Sequence, residues 1–316
     1  MVLSTIVNSV VLNAMGLLAY WKGFTSKSVD VDEFCWSYME REGSQQQPGG
    51  ADDDIDDAVI VFLHGFSAMK ESWLGIATGI DAKHHVLIPD LPGQGRTTPA
   101  DPLLSYTVDD QARRLHAFLN ATVSSAKKVH VVGISMGGML AGVYAAQYPE
   151  RVTSLTMVCP SGISMKNRSE GLRILEDDGK NLLLASSAKD IQQMLKLVSH
   201  NARDIPYFVA AIIANSRAKQ LDVFGKIVAD CLVEQTILDA YLPQIRAKTL
   251  VLWGKEDRVL DISCLDKLEE LLSVGNQHVL VFDDCGHTVQ HERAAECAVA
   301  INQFLDGSVP TGTLEP

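Results

Sequence analysis

The sequence has no surplus of positive charge. Lys and Arg number 27 against 39 Asp and Glu in 316 residues, so the formal net charge is −12. Proteins that bind nucleic acid present clustered Lys and Arg to the phosphates, and polybasic runs attract anionic lipid surfaces. We therefore expect no nucleic-acid partner, and the sequence offers no basic patch for a membrane.

Cysteine is scarce, and its spacing fits neither a metal site nor a disulfide framework. No C-x-x-C motif occurs, and several cysteines fall in predicted strands or helices, which is typical of reduced core thiols. The acidic run 52–57 lacks calcium-loop spacing, and the glycine-rich stretch 90–96 lacks a Walker lysine and a GxGxxG motif. We expect no metal and no other cofactor. The cysteines are Cys35, Cys159, Cys231, Cys264, Cys285 and Cys297.

The sequence does contain a strand, a tight turn and a helix around one serine. The β-branched run 129–132 predicts a buried strand, and the pattern over 139–148 predicts a helix. Between them stands Gly133-Ile-Ser-Met-Gly137, with Ser135 at the apex. Side chains at the two glycine positions would collide with the neighbouring strand and helix. The pattern is therefore typical of a nucleophile elbow.

Two backbone N–H groups near Ser135 are predicted to bind an oxyanion. The helix after the turn directs its N-terminus at the serine, which leaves the N–H of Met136 available. A second buried strand, 58–63, ends in His64-Gly-Phe66. Such an elbow places its second donor there, which would be the N–H of Phe66. We interpret His64 itself as structural.

A serine nucleophile needs a base, and the base needs an acid that fixes its tautomer. Asp257 follows the predicted strand 249–253, and His287 follows the predicted strand 278–282. Because the carboxyl ends of parallel strands meet at one sheet edge, Ser135, Asp257 and His287 are predicted to converge there. Asp261 is the reserve acid. The less suitable candidates are His116, His130, His291, Glu256, Asp283 and Asp284.

The alternation of strands and helices, which begins with a predicted strand at Val29–Tyr38, is interrupted once. Between about 164 and 242 the sequence predicts helices only, the last of them over 221–241. This predicts an α/β fold with a mostly parallel central sheet, flanking helices and an inserted helical cap. The predicted units are 23–163 together with 243–307 for the discontinuous core, 164–242 for the cap and 308–316 for a loose tail.

Residues 1–22 form an apolar segment of about the length of a membrane span. No basic region precedes it and no clear cleavage site follows, so a cleaved signal peptide is not predicted. Its polar residues gather towards one side of a helix, which leaves three alternatives: a weak span, an interfacial helix and a helix docked on the protein. We favour membrane association and leave the choice between the first two open.

Together these motifs give the chain a family resemblance. The chain resembles the α/β-hydrolase superfamily and, within it, the monoacylglycerol lipases. The resemblance implies a membrane-bound enzyme that cleaves monoacylglycerols, with Ser135, Asp257 and His287 as its triad, and we expect the catalytic domain to face the cytosol. The matching stretches are Phe34-Cys-Trp-Ser-Tyr38, Leu63-His-Gly-Phe-Ser-Ala68, Gly133-Ile-Ser-Met-Gly-Gly138, Ala141-Gly-Val-Tyr-Ala145, Val158-Cys-Pro160, Trp253-Gly-Lys255, Asp257, Val259-Leu-Asp261 and Cys285-Gly-His287.

Other functions remain open on the same residues. A small-ester esterase or a C–C bond hydrolase would use the same triad, whereas a hydrolase fold that captures a ligand without turnover is a different class that an intact triad argues against. Dehalogenases and epoxide hydrolases of this fold use an Asp nucleophile, so Ser135 disfavours both. Acyl-chain length, glycerol-position preference, phospholipid activity and oligomeric state do not follow from the sequence.

The apolar segment generates the first prediction. Deleting residues 1–20 is expected to move the protein from the membrane fraction to the supernatant, because about twenty apolar residues would no longer contact lipid. Fractionation of cells that express the full and truncated chains, at matched levels, measures this. A full-length chain found wholly in the supernatant would contradict the anchor.

Overall fold

The structure, a computed structural model, describes residues 19–44, 58–272 and 277–311. Most of the predicted apolar segment, the acidic run 52–57 and the end of the predicted tail lie outside these ranges. Within them, eight strands form one sheet in the order β1-β2-β4-β3-β5-β6-β7-β8. The strands are β1 Thr25–Val31, β2 Phe34–Arg41, β3 Val59–Leu63, β4 Val86–Pro89, β5 Val129–Ile134, β6 Val152–Val158, β7 Lys248–Gly254 and β8 Gln277–Phe282.

The described strands from β4 to β8 are parallel to one another, and β2 alone runs the opposite way, antiparallel to both β1 and β4. The central strands β3 and β5 are buried along their whole length. Their near-continuous Val, Ile and Leu runs follow from this position, because helices cover both faces of a parallel sheet. The predicted α/β fold with a mostly parallel central sheet is confirmed.

From β3 onward, helices alternate with the strands along the chain. The helix after β4 begins at Val108, where the hydroxyl of the preceding Thr107 accepts a hydrogen bond from the N–H of Asp110 at 3.3 Å. The helices are α1 Leu74–Ala77, α2 Val108–Thr122, α3 Met136–Gln147, α4 Glu170–Asp178, α5 Ala188–Val198, α6 Tyr207–Ala218, α7 Leu221–Ile227, α8 Cys264–Leu271, α9 Val289–Glu292 and α10 Ala294–Leu305.

The single first strand predicted over Val29–Tyr38 is wrong. The chain reverses at Asp32-Glu33, and β1 and β2 form a hairpin in which Val31 pairs with Phe34. Asp32 adopts a left-handed conformation with φ of 50°. The turn carries no glycine, and the alternation of side chains continues across it, so the sequence pattern does not mark the reversal.

Between β6 and β7 the chain, all of it described, contains helices and no strand. Helices α5 and α6 pack around a small apolar cluster of their own, which is separate from the main core. The long last helix predicted over 221–241 is wrong, because α7 ends at Ile227 and continues as a wider turn. In that turn the carboxylate of Asp230 accepts the backbone N–H of Tyr106 at 2.8 Å, a contact with the core that local helix propensity does not encode.

The turn between β5 and α3 brings two backbones into contact. A Cβ atom at Gly133 would lie 2.1 Å from the carbonyl oxygen of Gly137, and one at Gly137 would lie 2.2 Å from the carbonyl oxygen of Leu63. Real Cβ atoms do not approach backbone oxygen this closely, so either side chain would force β3, β5 or α3 apart. Glycine at both positions is therefore a steric requirement of the fold.

A pair of glycine substitutions tests this packing. Gly137→Ala is expected to lower the free energy of unfolding by about 3 kcal/mol or more, because the backbone oxygens cannot move aside as a side chain could. Gly225→Ala is the matched control, since nothing lies within 4 Å of a Cβ there. It is expected to stabilise α7 by roughly 0.5–1 kcal/mol. Chemical denaturation measures both, and a Gly137→Ala protein as stable as the wild type would contradict the steric account.

Candidate active site

Ser135 occupies the turn between β5 and α3 in a strained backbone conformation. Its φ of 55° and ψ of −120° are unusual for a residue with a side chain. Three hydrogen bonds hold it: its N–H donates to the carbonyl of Val158 at 3.0 Å, and its carbonyl accepts from Met139 at 2.9 Å and Ser161 at 3.1 Å. The strain and its bonding fix the hydroxyl at the carboxyl edge of the sheet, as a nucleophile elbow requires.

Asp257 and His287 lie in the loops that follow β7 and β8, and their side chains are paired. The Nδ1 atom of His287 lies 2.7 Å from Oδ2 of Asp257, and both residues are buried. The other carboxylate oxygen accepts the backbone N–H groups of Val259 at 2.8 Å and Leu260 at 2.9 Å. Because a carboxylate only accepts, Nδ1 carries the proton and Nε2 is left as the basic nitrogen.

The other acids are engaged elsewhere. Asp261, the reserve acid, accepts hydrogen bonds from Ser263 and Asn167, and Glu256 accepts the N–H of Cys285. Asp283 pairs with Lys255 at 2.5 Å. In the described ranges Asp257 is the carboxylate that contacts His287.

The loop after β3 lies against the serine. A Cβ atom at Gly65 would lie 3.4 Å from Cβ of Ser135, so the backbone that leads to Phe66 passes the nucleophile at contact distance. In the part of the chain that the structure describes, neither the N–H of Phe66 nor that of Met136 has an acceptor. Two N–H groups without an acceptor near a serine hydroxyl are what an oxyanion hole would require.

His64 supports this loop from inside the protein. Its Nδ1 donates to the carbonyl of Gly65 at 2.8 Å, and its Nε2 accepts the N–H of Leu91 at 3.0 Å. The side chain is fully buried, and this burial lowers the pKa of His64 below its ordinary value. The imidazole is therefore neutral at physiological pH and acts as a brace for the loop.

Cys159 is a neighbour of the site that the sequence pattern does not reveal. Its sulfur and one atom each of Asp257 and His287 all lie within 4.8 Å of one another. Burial raises the pKa of the Cys159 thiol well above its usual range, so the thiol stays protonated. Because Asp257 and His287 already bind each other and the thiol is protonated, this donor set does not favour a metal. In the sequence, this position is indicated by one feature, which is that Cys159 directly follows β6.

A second group, Glu40, Glu42 and His85, also brings three potential metal ligands together. Here Glu40 is occupied by two partners, since it pairs with Lys27 and with the imidazole of His85 at 2.8 Å. A cation would have to displace the Lys27 ammonium, so the donor set does not favour a metal.

A serine at a strand–helix elbow, with an Asp–His pair on the loops of neighbouring strands, defines the α/β-hydrolase class of fold. A family model of the α/β-hydrolase fold matches residues 58–294, and the chain belongs to that family. No described helix meets the length and apolar content needed to cross a bilayer.

Relatives of known activity are similar over most of the chain. It is 32% identical to human monoacylglycerol lipase ABHD6 over 281 residues, which cover 86% of this chain and 79% of that protein. It is 34% identical to monoacylglycerol lipase abhd6-B of Xenopus laevis, with 90% and 84% covered. The crystal structure of a bacterial membrane phospholipase A superposes with a TM-score of 0.83 at 30% identity, covering 96% of this chain and 92% of that one. The chain is therefore an ester hydrolase.

The pairing of His287 generates a prediction about the acids. Asp257→Asn is expected to lower kcat by about 10⁴-fold, because the amide favours the wrong imidazole tautomer. Asp261→Asn is the matched control and is expected to leave kcat near the wild-type value, since Asp261 bonds to other groups. Steady-state hydrolysis of a chromogenic ester measures both. Collapse in Asp261→Asn with normal turnover in Asp257→Asn would transfer the role to Asp261.

Proposed function

We propose that the protein is a serine hydrolase of lipid esters that converts monoacylglycerols to fatty acid and glycerol. Ser135 is the nucleophile, His287 the base and Asp257 the acid that orients it. The observation that carries the proposal is the 2.7 Å contact between His287 and Asp257 at the sheet edge where the strained Ser135 turn lies. The relatives named as monoacylglycerol lipases support the choice of substrate.

The reaction follows the usual course of acyl transfer. His287 Nε2 takes the proton of the Ser135 hydroxyl as its oxygen attacks the ester carbonyl, and the N–H groups of Phe66 and Met136 stabilise the oxyanion. The oxyanion collapses, and His287 returns the proton to the departing glycerol oxygen. Water then attacks the acyl-enzyme by the same path in reverse, which releases the fatty acid and restores Ser135.

The segment 164–242 is the proposed cap over the core of residues 23–163 and 243–307. Its helix α6 exposes two aromatic side chains, since Tyr207 is 69% and Phe208 63% accessible. Exposed aromatic residues at a helix start are suited to the interface of a membrane. A cap with such a surface, together with an apolar N-terminus, would hold the active site near a bilayer in which the substrate is dissolved.

The proposed location is a membrane surface with the catalytic domain in the cytosol. The six cysteines are all unpaired thiols, which fits a reducing compartment. The similarity to a bacterial membrane phospholipase A supports the association. The proposed partners are thus a membrane surface and a lipid ester substrate. No nucleic-acid partner is proposed.

A series of monoacylglycerols from acetyl to oleoyl tests the substrate. Each buried methylene contributes about 0.8 kcal/mol, so kcat/KM is expected to rise by up to about fourfold per methylene until the pocket is filled. Assays in detergent with Ser135→Ala as the control, expected to be folded and slower by on the order of 10⁶-fold, exclude a contaminating esterase. A steady fall in kcat/KM with chain length would leave a small-ester hydrolase instead.

A further inference from the structure

Ser67, the residue after the proposed oxyanion donor Phe66, is held in a strained conformation from two sides. Its φ is 56°, a left-handed value that costs a residue with a side chain on the order of 1–3 kcal/mol. Its N–H donates to Oε1 of Gln94 at 2.5 Å. Its hydroxyl accepts from Nη1 of Arg217 at 2.6 Å. The first partner belongs to the core, whereas the second comes from the helical insertion.

Arg217 is a buried cation on α6 that has no carboxylate partner in the described part of the chain. Besides Ser67, its guanidinium donates to the carbonyl oxygens of Ala185 and Leu183. Burial lowers the pKa of Arg217, yet a guanidinium remains charged at neutral pH. Burying a charge without a counter-ion is costly. A role in filling space would not account for this cost. A planar guanidinium that joins three acceptors, the Ser67 hydroxyl and the carbonyl oxygens of Ala185 and Leu183, does account for it.

The aromatic ring of Phe66 rests on the same insertion. It packs edge-on against Phe224 of α7, with 5.4 Å between ring centroids. The guanidinium carbon of Arg217 lies 5.4 Å from the centroid of the Phe224 ring, a cation–π distance. Arg217 therefore reaches the oxyanion loop twice, directly through the Ser67 hydroxyl and indirectly through Phe224 to the side chain of Phe66.

The insertion packs partly on itself and partly on the core. Helices α5 and α6 share their own apolar cluster, whereas Phe224 and Ile227 of α7 belong to the main core. On the other side of the site, the same unit contacts the histidine loop, where the N–H of Thr288 donates to the carbonyl of Val198 at 3.0 Å. The contacts of Arg217 and Val198 thus join the insertion to the loop that carries Phe66 and to the loop that carries His287.

We propose that Arg217 is a positioning residue that makes the oxyanion hole dependent on the seating of the helical insertion. With α6 seated, Arg217 holds Ser67 in its strained form and the N–H of Phe66 faces the reacting carbonyl. With α6 displaced, Ser67 loses that bond, its strain relaxes and the donor turns away. The inference rests on the proposed catalytic role of Phe66 and Ser135.

The test compares Arg217→Gln, Ser67→Ala and the double variant with the wild type. Arg217→Gln is expected to lower kcat roughly 10- to 100-fold. This loss does not exceed the cost of removing an oxyanion donor outright, which is ~10²–10³-fold in kcat. KM is expected to change by less than about threefold, because the contact acts on the transition state. Ser67→Ala removes only the hydroxyl and is expected to lower kcat as well. The kcat of the double variant is expected to lie within about twofold of the kcat of Arg217→Gln, since both changes break the same contact.

The matched control is Arg168→Gln, an exposed arginine of the same insertion that pairs with Glu176 and Asp177. It is expected to keep wild-type kcat. Thermal unfolding of each variant shows that the assays are done on folded protein. Losses in Arg217→Gln and Ser67→Ala that multiply in the double variant, or wild-type kcat in a folded Arg217→Gln, would overturn the coupling.

Labelling by a fluorophosphonate distinguishes a failure of the proposal for Arg217 from a failure of the proposed hydrolase function. Arg217→Gln is expected to label fully but more slowly, in proportion to its loss of kcat, because attack on phosphorus also develops an oxyanion. Esterase activity retained in Ser135→Ala would reject the proposed function itself. An inactive Ser135→Ala beside an Arg217→Gln that labels at the wild-type rate would reject only the role of Arg217.

Discussion

The close approach of α3 to the sheet at Ser135 is the constraint on which the rest of the structure depends. Gly133 and Gly137 allow backbone to touch backbone there, and the contact forces Ser135 into a conformation that residues with side chains seldom adopt. The strained conformation is held by hydrogen bonds between Ser135 and Val158 of β6, Met139 of α3 and Ser161. The turn thereby lifts one hydroxyl out of a packed sheet and points a helix N-terminus at the same place.

The remaining groups of the site come from loops that the sheet brings to this edge. The loop after β3 passes Ser135 and is braced by the neutral His64, while the loops after β7 and β8 carry Asp257 and His287. Each is fixed by backbone hydrogen bonds, so little reorganisation accompanies reaction. The insertion between β6 and β7 contacts two of these loops, through Arg217 and Val198, and is thereby linked to the residues proposed for the chemistry.

Local patterns in the sequence predicted the sheet, the Ser135 turn and the loops that hold Asp257 and His287, because strand ends, flanking glycines and chain order are local features. The β1–β2 reversal was missed because its turn has no glycine. The end of α7 was missed because the predicted helix runs on through the wider turn in which Asp230 contacts the core. The positions of Cys159 and Arg217 beside the site depend on contacts between residues far apart in the chain. Arg217 and Ser67 are separated by 150 positions, and no periodicity records such a pair.

Covalent trapping tests the central claim most directly. The proposed nucleophile is Ser135, held by its turn and activated by His287 and Asp257. Full-length protein treated with a fluorophosphonate, digested and sequenced by tandem mass spectrometry is predicted to carry one adduct, on Ser135, and Asp257→Asn is predicted to acquire the same adduct far more slowly. An adduct on another residue, or none on folded wild-type protein, would contradict the account.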